Sequence, residues 1–299
     1  MRRLTVLWIL IVAPVPCASL RAAPVPQEAE APKEPDPTPF EKALAAFRKG
    51  DYGMAVAEAS EVAADDPLFH KARYLLGESW LALKEFAEAE KEFRALLKSR
   101  PESVPVLTGL ARSLAGLGKF EDAEALLRKA LRLEPRDPAP RRALGECLAA
   151  DGKPREARKE LEAATKLDPR DPLTARLLVE ITVSAGDTSG ASKAAEAFRR
   201  ADPKHPLGDF LLGLVQDRIG DVRAAVESYE AALAKDPKFL DAHKNLAILL
   251  VGDNPGYKDV AKTKRAFAHL GSYFELGGED ENLRKAFEKI RGFLDGREK

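Results

Sequence analysis

The residues equipped for chemistry are few and scattered. The four histidines, His70, His205, His243 and His269, share no spacing that would put a pair of metal ligands on one helix face. Ser113 and Ser228 stand in no nucleophile motif, and no glycine-rich loop opens a helix after a strand to cradle phosphate. Of the two cysteines, Cys17 lies near the start of the chain, in what reads below as a leader. Cys147 sits between Leu144 and Leu148 and reads as a small core residue, with no second thiol left for an internal disulfide. The carboxylates are many, but they alternate with lysine and arginine in the manner of solvated helix faces. These features predict a protein that is not an enzyme and takes no metal and no cofactor.

Charge excludes a further class. The chain holds 48 lysines and arginines against 48 aspartates and glutamates, and removal of Arg2, Arg3 and Arg21 with a leader leaves 45 against 48. Such a balance gives no electrostatic case for nucleic acid.

The strongest signal is a period. Proline recurs at 67, 101, 135, 169, 203 and 237, each 34 residues after the last. Ala55, Ala89, Ala123, Ala157, Ala191 and Ala225 keep the same beat, as do Leu76, Leu110, Leu144, Leu178, Leu212 and Leu246. Small residues follow most of those leucines (Gly77, Ala111, Gly145, Gly213), and Gly50, Gly118, Gly152, Gly186 and Gly220 mark a turn inside each unit. Apolar spacings of three and four, as in Leu76, Trp80, Phe86, Ala89, Phe93 and Leu96, make each unit two short helices. Gly-Asp pairs at 50–51, 186–187 and 220–221 supply a turn and an N-cap. Asp137-Pro138 and Asp171-Pro172 restart the chain with a cap and a proline at the first helical position. Stacked units of this length imply a solenoid.

Leu76-Gly77, Gly50-Asp51-Tyr52, Ala89 with Phe93, Ala225 with Tyr229 and Asp236-Pro237 together resemble the tetratricopeptide repeat (TPR). The resemblance implies an all-α, right-handed α-α superhelical solenoid of about seven helix pairs over 40–278, with units starting near 36, 70, 104, 138, 172, 206 and 240 and a capping helix over 279–299. Two units depart from the pattern. In the fifth, Ala195 and Phe198 exchange the volumes found elsewhere, and Thr188-Ser189-Gly190 makes a weak helix start. In the seventh, Gly252-Asp253-Asn254-Pro255-Gly256 breaks the chain before Ala266, Leu270, Tyr273 and Phe274 resume it seven residues late.

The ends read differently. Met1-Arg2-Arg3 followed by the apolar run Leu4 to Val15 predicts a secretory signal over 1–22, cut after Ser19 or Ala22; the alternative is an uncleaved membrane anchor. Pro16 before Cys17 speaks against lipidation. Residues 23–39 are proline-rich, lack apolar periodicity and read as a flexible linker ending in the capping box Thr38-Pro39-Phe40-Glu41. The chain is therefore expected in the periplasm or outside the cell.

The resemblance also implies where a partner would bind, since the first helices of such units line a concave groove. Carried over position by position, the groove residues are Phe40, Leu44 and Phe47; Tyr74, Glu78 and Leu81; Thr108, Arg112 and Ala115; Arg142, Glu146 and Ala149; Arg176, Glu180 and Val183; Phe210, Leu214 and Asp217. Arg142 with Glu146 and Arg176 with Glu180 have the spacing of intrahelical ion pairs, and the two arginines also suit a carboxylate-bearing guest. Asn245 stands alone, so a lysine and asparagine clamp on a peptide terminus is not supported. The expected function is a scaffold that binds a peptide or helix of another protein; the alternative is a self-associating solenoid whose groove holds its own linker.

Overall fold

The computed structural model describes residues 36–296; the expected leader, and the linker up to residue 35, lie outside the described residues. From Thr38 onward the described chain is helical, with no strand. Its helices are α1 (Pro39–Arg48), α2 (Tyr52–Ser60), α3 (Phe69–Ala82), α4 (Phe86–Ser99), α5 (Val104–Gly116), α6 (Phe120–Leu133), α7 (Pro138–Ala150), α8 (Pro154–Leu167), α9 (Pro172–Ser184), α10 (Thr188–Ala201), α11 (Leu207–Ile219), α12 (Val222–Lys235), α13 (Leu240–Gly252), α14 (Val260–Glu275) and α15 (Glu281–Asp295). Among the described residues no helix is long and apolar enough to cross a membrane.

The punctuation seen in the sequence is what builds the units. At the start, Thr38 Oγ1 accepts from Glu41 N at 3.3 Å and Glu41 Oε2 accepts from Thr38 N at 2.9 Å, a completed capping box. Asp51, Asp187 and Asp221 accept from the third residue of α2, α10 and α12, and Asp137 and Asp171 do the same work for α7 and α9. The weak start of α10 is thus held by Asp187, whose carboxylate occupies the space a Cβ on Gly190 would need. The intra-unit turns are left-handed, with φ of +79° at Gly50 and +81° at Gly220. The second unit carries Lys84 at this position, at φ +62°; glycine takes that conformation freely and a side chain does not.

Packing explains the small residues. Phe93 of α4 lies against both Gly77 of α3 and Gly109 of α5; a Cβ on either glycine would stand 2.7 or 2.5 Å from the ring. Gly145 abuts Leu161 and Gly213 abuts Tyr229 with the same closeness, 2.6 Å. In the fifth unit both Ala195 and Phe198 are fully buried, so the exchanged volumes fill one core. The break after α13 is organised by buried Asn254. Its Nδ2 donates to Asp259 O at 2.7 Å and Thr263 Oγ1 at 2.9 Å, and its Oδ1 accepts from Asp259 N. Ile290 of α15 is buried with Leu270 and Ala247, and Leu283, Phe287 and Leu294 pack around them, which closes the open end of the stack.

Each helix packs on the next, and from α1 to α11 each first helix also packs on the first helix of the following unit. Second helices make no comparable contact with one another. The stack therefore curves toward α1, α3, α5, α7, α9 and α11, which form its inner face.

Candidate inner-face binding site

The apolar end of this face is a pocket. Phe40 and Leu44 of α1 and Tyr74 of α3, with Leu75, Leu96 and Val106, line a space of about 430 Å³. Its rim carries His70, Lys71 and Arg100, and His70 is exposed. Tyr74 stands edge-on to Phe93 with ring centres 5.8 Å apart, and burial, then Glu78, pushes its phenol well above the usual range. Phe47 is turned inward on the first unit and packs edge-on against Tyr52, so it lies outside this pocket.

The charged middle is arranged differently from its sequence spacing. Arg112 donates to Glu78 across one unit at 2.9 Å. Arg142 donates to Asp171 at 2.8 Å and only approaches Glu146, at 3.8 Å. Arg176 does not pair with Glu180; it donates to Asp241 of α13 at 2.7 Å, with its guanidinium 5.4 Å over the ring of Phe210. The two arginines that suited a carboxylate guest are thus already satisfied within the chain. The reason is reach: an arginine on an inner helix can extend along the stack to a cap one unit on, as Arg142 does, or to a helix two units on, as Arg176 does, and meet a carboxylate there at shorter range than the one a turn away.

Among the described residues two inner carboxylates, Glu180 and Asp217, make no ion pair, and Glu146 has only the 3.8 Å approach of Arg142. Glu146, Glu180 and Asp217 are all held above the usual carboxylate range, in each case chiefly by burial. Leu81 and Phe210 are buried, so they support the inner face rather than present it, while Leu214 is half-buried at the mouth of a second cleft with Val183. Thr108 is buried and its hydroxyl has no hydrogen-bond partner among the described residues.

One pairing escaped sequence reasoning. His243 of α13 and His269 of α14 meet Nδ1 to Nδ1 at 3.0 Å, 26 residues apart. His243 Nε2 faces the Pro237 carbonyl at 3.0 Å, so that nitrogen carries a proton and its Nδ1 accepts from His269 Nδ1–H. The seventh-unit insertion obscured the register that brings the rings together. His205, at the junction of the fifth and sixth units, is half-buried: it stands edge-on to Phe198 and accepts from Leu207 N at 3.1 Å. Cys147 is buried as expected, and burial pushes its thiol up to about 11. Among the described residues no group of three or more histidine, cysteine or carboxylate side chains is placed to hold a metal.

Stacked helix pairs, left-handed intra-unit turns and a lined inner face define a helical-repeat solenoid. Sequence models of the tetratricopeptide repeat match residues 114–181 in one case and 40–104, 177–238 and 210–253 in another. The chain belongs to the tetratricopeptide repeat family, whose members are generally non-catalytic scaffolds for protein–protein interaction. No curated protein sequence matches it. Among solved structures it resembles a thermophilic TPR protein of Thermus thermophilus, at 22% identity over 61% of this chain and 99% of that one, with a TM-score of 0.51. A TPR protein of Parabacteroides merdae aligns over 85% of this chain and 97% of its own at 13% identity and a TM-score of 0.58. The Cut9–Hcn1 hetero-tetramer of the APC/C aligns at 17% identity over 87% of this chain and 50% of that chain, with a TM-score of 0.57. Identities this low speak to the fold alone.

Proposed function

We propose that this chain is an exported, non-enzymatic scaffold that holds a segment of another protein along its inner face. The observation that carries this reading is the pocket formed by Phe40, Leu44 and Tyr74 at the start of that face. A concave apolar surface with aromatic walls is where binding energy concentrates in protein interfaces. Export rests on the basic start and apolar run of residues 1–15, which lie outside the described residues.

The test is site-specific photo-crosslinking in cells. A photo-reactive residue at Tyr74 should trap a discrete partner, and the same residue at Arg94, exposed on an outer helix, should not. Equal trapping from both positions would end the groove reading. Size-exclusion chromatography with light scattering tests the rival reading, self-association, which requires a concentration-dependent rise in mass. Sequencing the N-terminus of the protein recovered from its native host tests export: a start after Ser19 or Ala22 is expected.

A further inference from the structure

Charge is unevenly distributed along the inner face. Arg112, Arg142 and Arg176 are turned onto carboxylates of the chain itself: Arg112 onto Glu78, Arg142 onto Asp171 and Arg176 onto Asp241. Glu146 is left with only a 3.8 Å approach from Arg142. Among the described residues no cation lies within ion-pair distance of Glu180 or Asp217, though the field of Arg176 reaches Glu180. Glu180 and Asp217 line one cleft between α9 and α11, of about 230 Å³, with apolar walls from Val179, Val183 and Leu214. Exposed Arg218 sits at its edge.

Glu180 and Asp217 are both exposed, so a charge arriving from solvent reaches them directly. A cation set between them gives each carboxylate the counter-charge it lacks. An ammonium or guanidinium on a four-carbon or three-carbon stem has the form the cleft asks for: its apolar stem lies on Val183 and Leu214 while its charge meets the acids.

We infer that the segment held on the inner face is basic, and that it places a lysine or arginine between Glu180 and Asp217. This rests on the scaffold reading above and names the chemistry of its partner. It also weighs against occupation of this cleft by the linker. Residues 23–39 contain Glu28, Glu30, Glu34 and Asp36 against Lys33 alone, so the chain's own linker carries the sign that the Glu180 and Asp217 cleft repels.

The experiment is selection of a random peptide library, displayed on phage, against the full chain. Individual binders are then measured on wild type, on Tyr74→Phe/Leu44→Ala and on the doubly neutralised Glu180→Gln/Asp217→Asn. Circular dichroism confirms that each variant is folded, and the glutamine and asparagine replacements retain shape. Selected peptides should be enriched in lysine and arginine. The neutralised variant should bind them at least tenfold more weakly and with a shallower dependence on salt. Neutral or acidic binders, or basic binders indifferent to Glu180→Gln/Asp217→Asn yet weakened by the pocket variant, would overturn the inference and leave the scaffold reading standing. Binders indifferent to both variants, or no binders, would overturn the scaffold reading itself.

Discussion

Arg176 and Asp241 form an ion pair at 2.7 Å although 65 residues separate them. The pair runs from α9 to α13 and passes over α11, where the guanidinium lies above Phe210. Most contacts in a solenoid join only neighbouring units, so this strap couples the fifth unit directly to the seventh.

A double-mutant cycle with Arg176→Ala and Asp241→Ala measures that coupling. Both side chains are about a third or more exposed, at 33% and 41%, so the expected interaction is modest, about 0.5 kcal/mol, within the range of exposed pairs. Arg176→Ala alone should cost about 0.5–1 kcal/mol more than Asp241→Ala, because it also removes the contact with Phe210. Denaturant unfolding supplies the four free energies. A coupling of zero would show that the strap is decorative.

Lys84 offers a gain. It occupies the turn position that glycine fills in the first, third, fourth, fifth and sixth units, at φ +62°, a conformation that costs a non-glycine residue about 1 kcal/mol. Lys84→Gly should raise stability by about 0.5–1 kcal/mol, after the loss to a more flexible unfolded chain is offset. An unchanged or lowered unfolding midpoint would mean that the strain is absorbed elsewhere in the turn.

The close approach at Gly145 can be tested the other way. A Cβ there would lie 2.6 Å from Leu161 and 3.3 Å from the Ala157 carbonyl, so α7 and α8 would have to part. Gly145→Ala should cost about 1–3 kcal/mol, despite alanine's better helix propensity. Adding Leu161→Ala should recover less than the full loss, since it opens a cavity of its own. Thermal unfolding of the single and double variants reads both effects.

Much of this architecture was legible in the sequence because the repeat is written in backbone chemistry. The prolines, turn glycines and aspartate caps act within a few residues of where they stand, and the Gly77 and Phe93 pattern records one helix pair at a time. The wiring of the inner face was not legible. Arg142 and Arg176 had glutamates one turn away, and the spacing favoured those partners. The structure instead joins them to residues 29 and 65 positions on, through the stacking of units. His243 and His269 were hidden for the same reason: their contact depends on an insertion whose length preserves the helical phase but not the 34-residue count.

That histidine pair makes stability depend on pH. Burial, then the neighbouring His243, with Arg265 nearby, holds His269 down to about 4 in the folded chain, whereas it titrates near 6.5 when unfolded. Between those values the unfolded chain binds the extra proton. The contribution of neutral His269 is therefore complete above pH 6.5 and is lost as pH falls toward 4. Glu146, Glu180 and Asp217, raised by burial, act in the opposite sense as they protonate, which masks part of the effect in wild type. Comparison with His269→Gln isolates it, because glutamine can offer His243 Nδ1 the same donor without titrating. Urea midpoints taken from about pH 7.5 to about pH 4.5 should fall more steeply for wild type than for His269→Gln. Parallel curves would show that the pair keeps its hydrogen bond on protonation and does not sense pH.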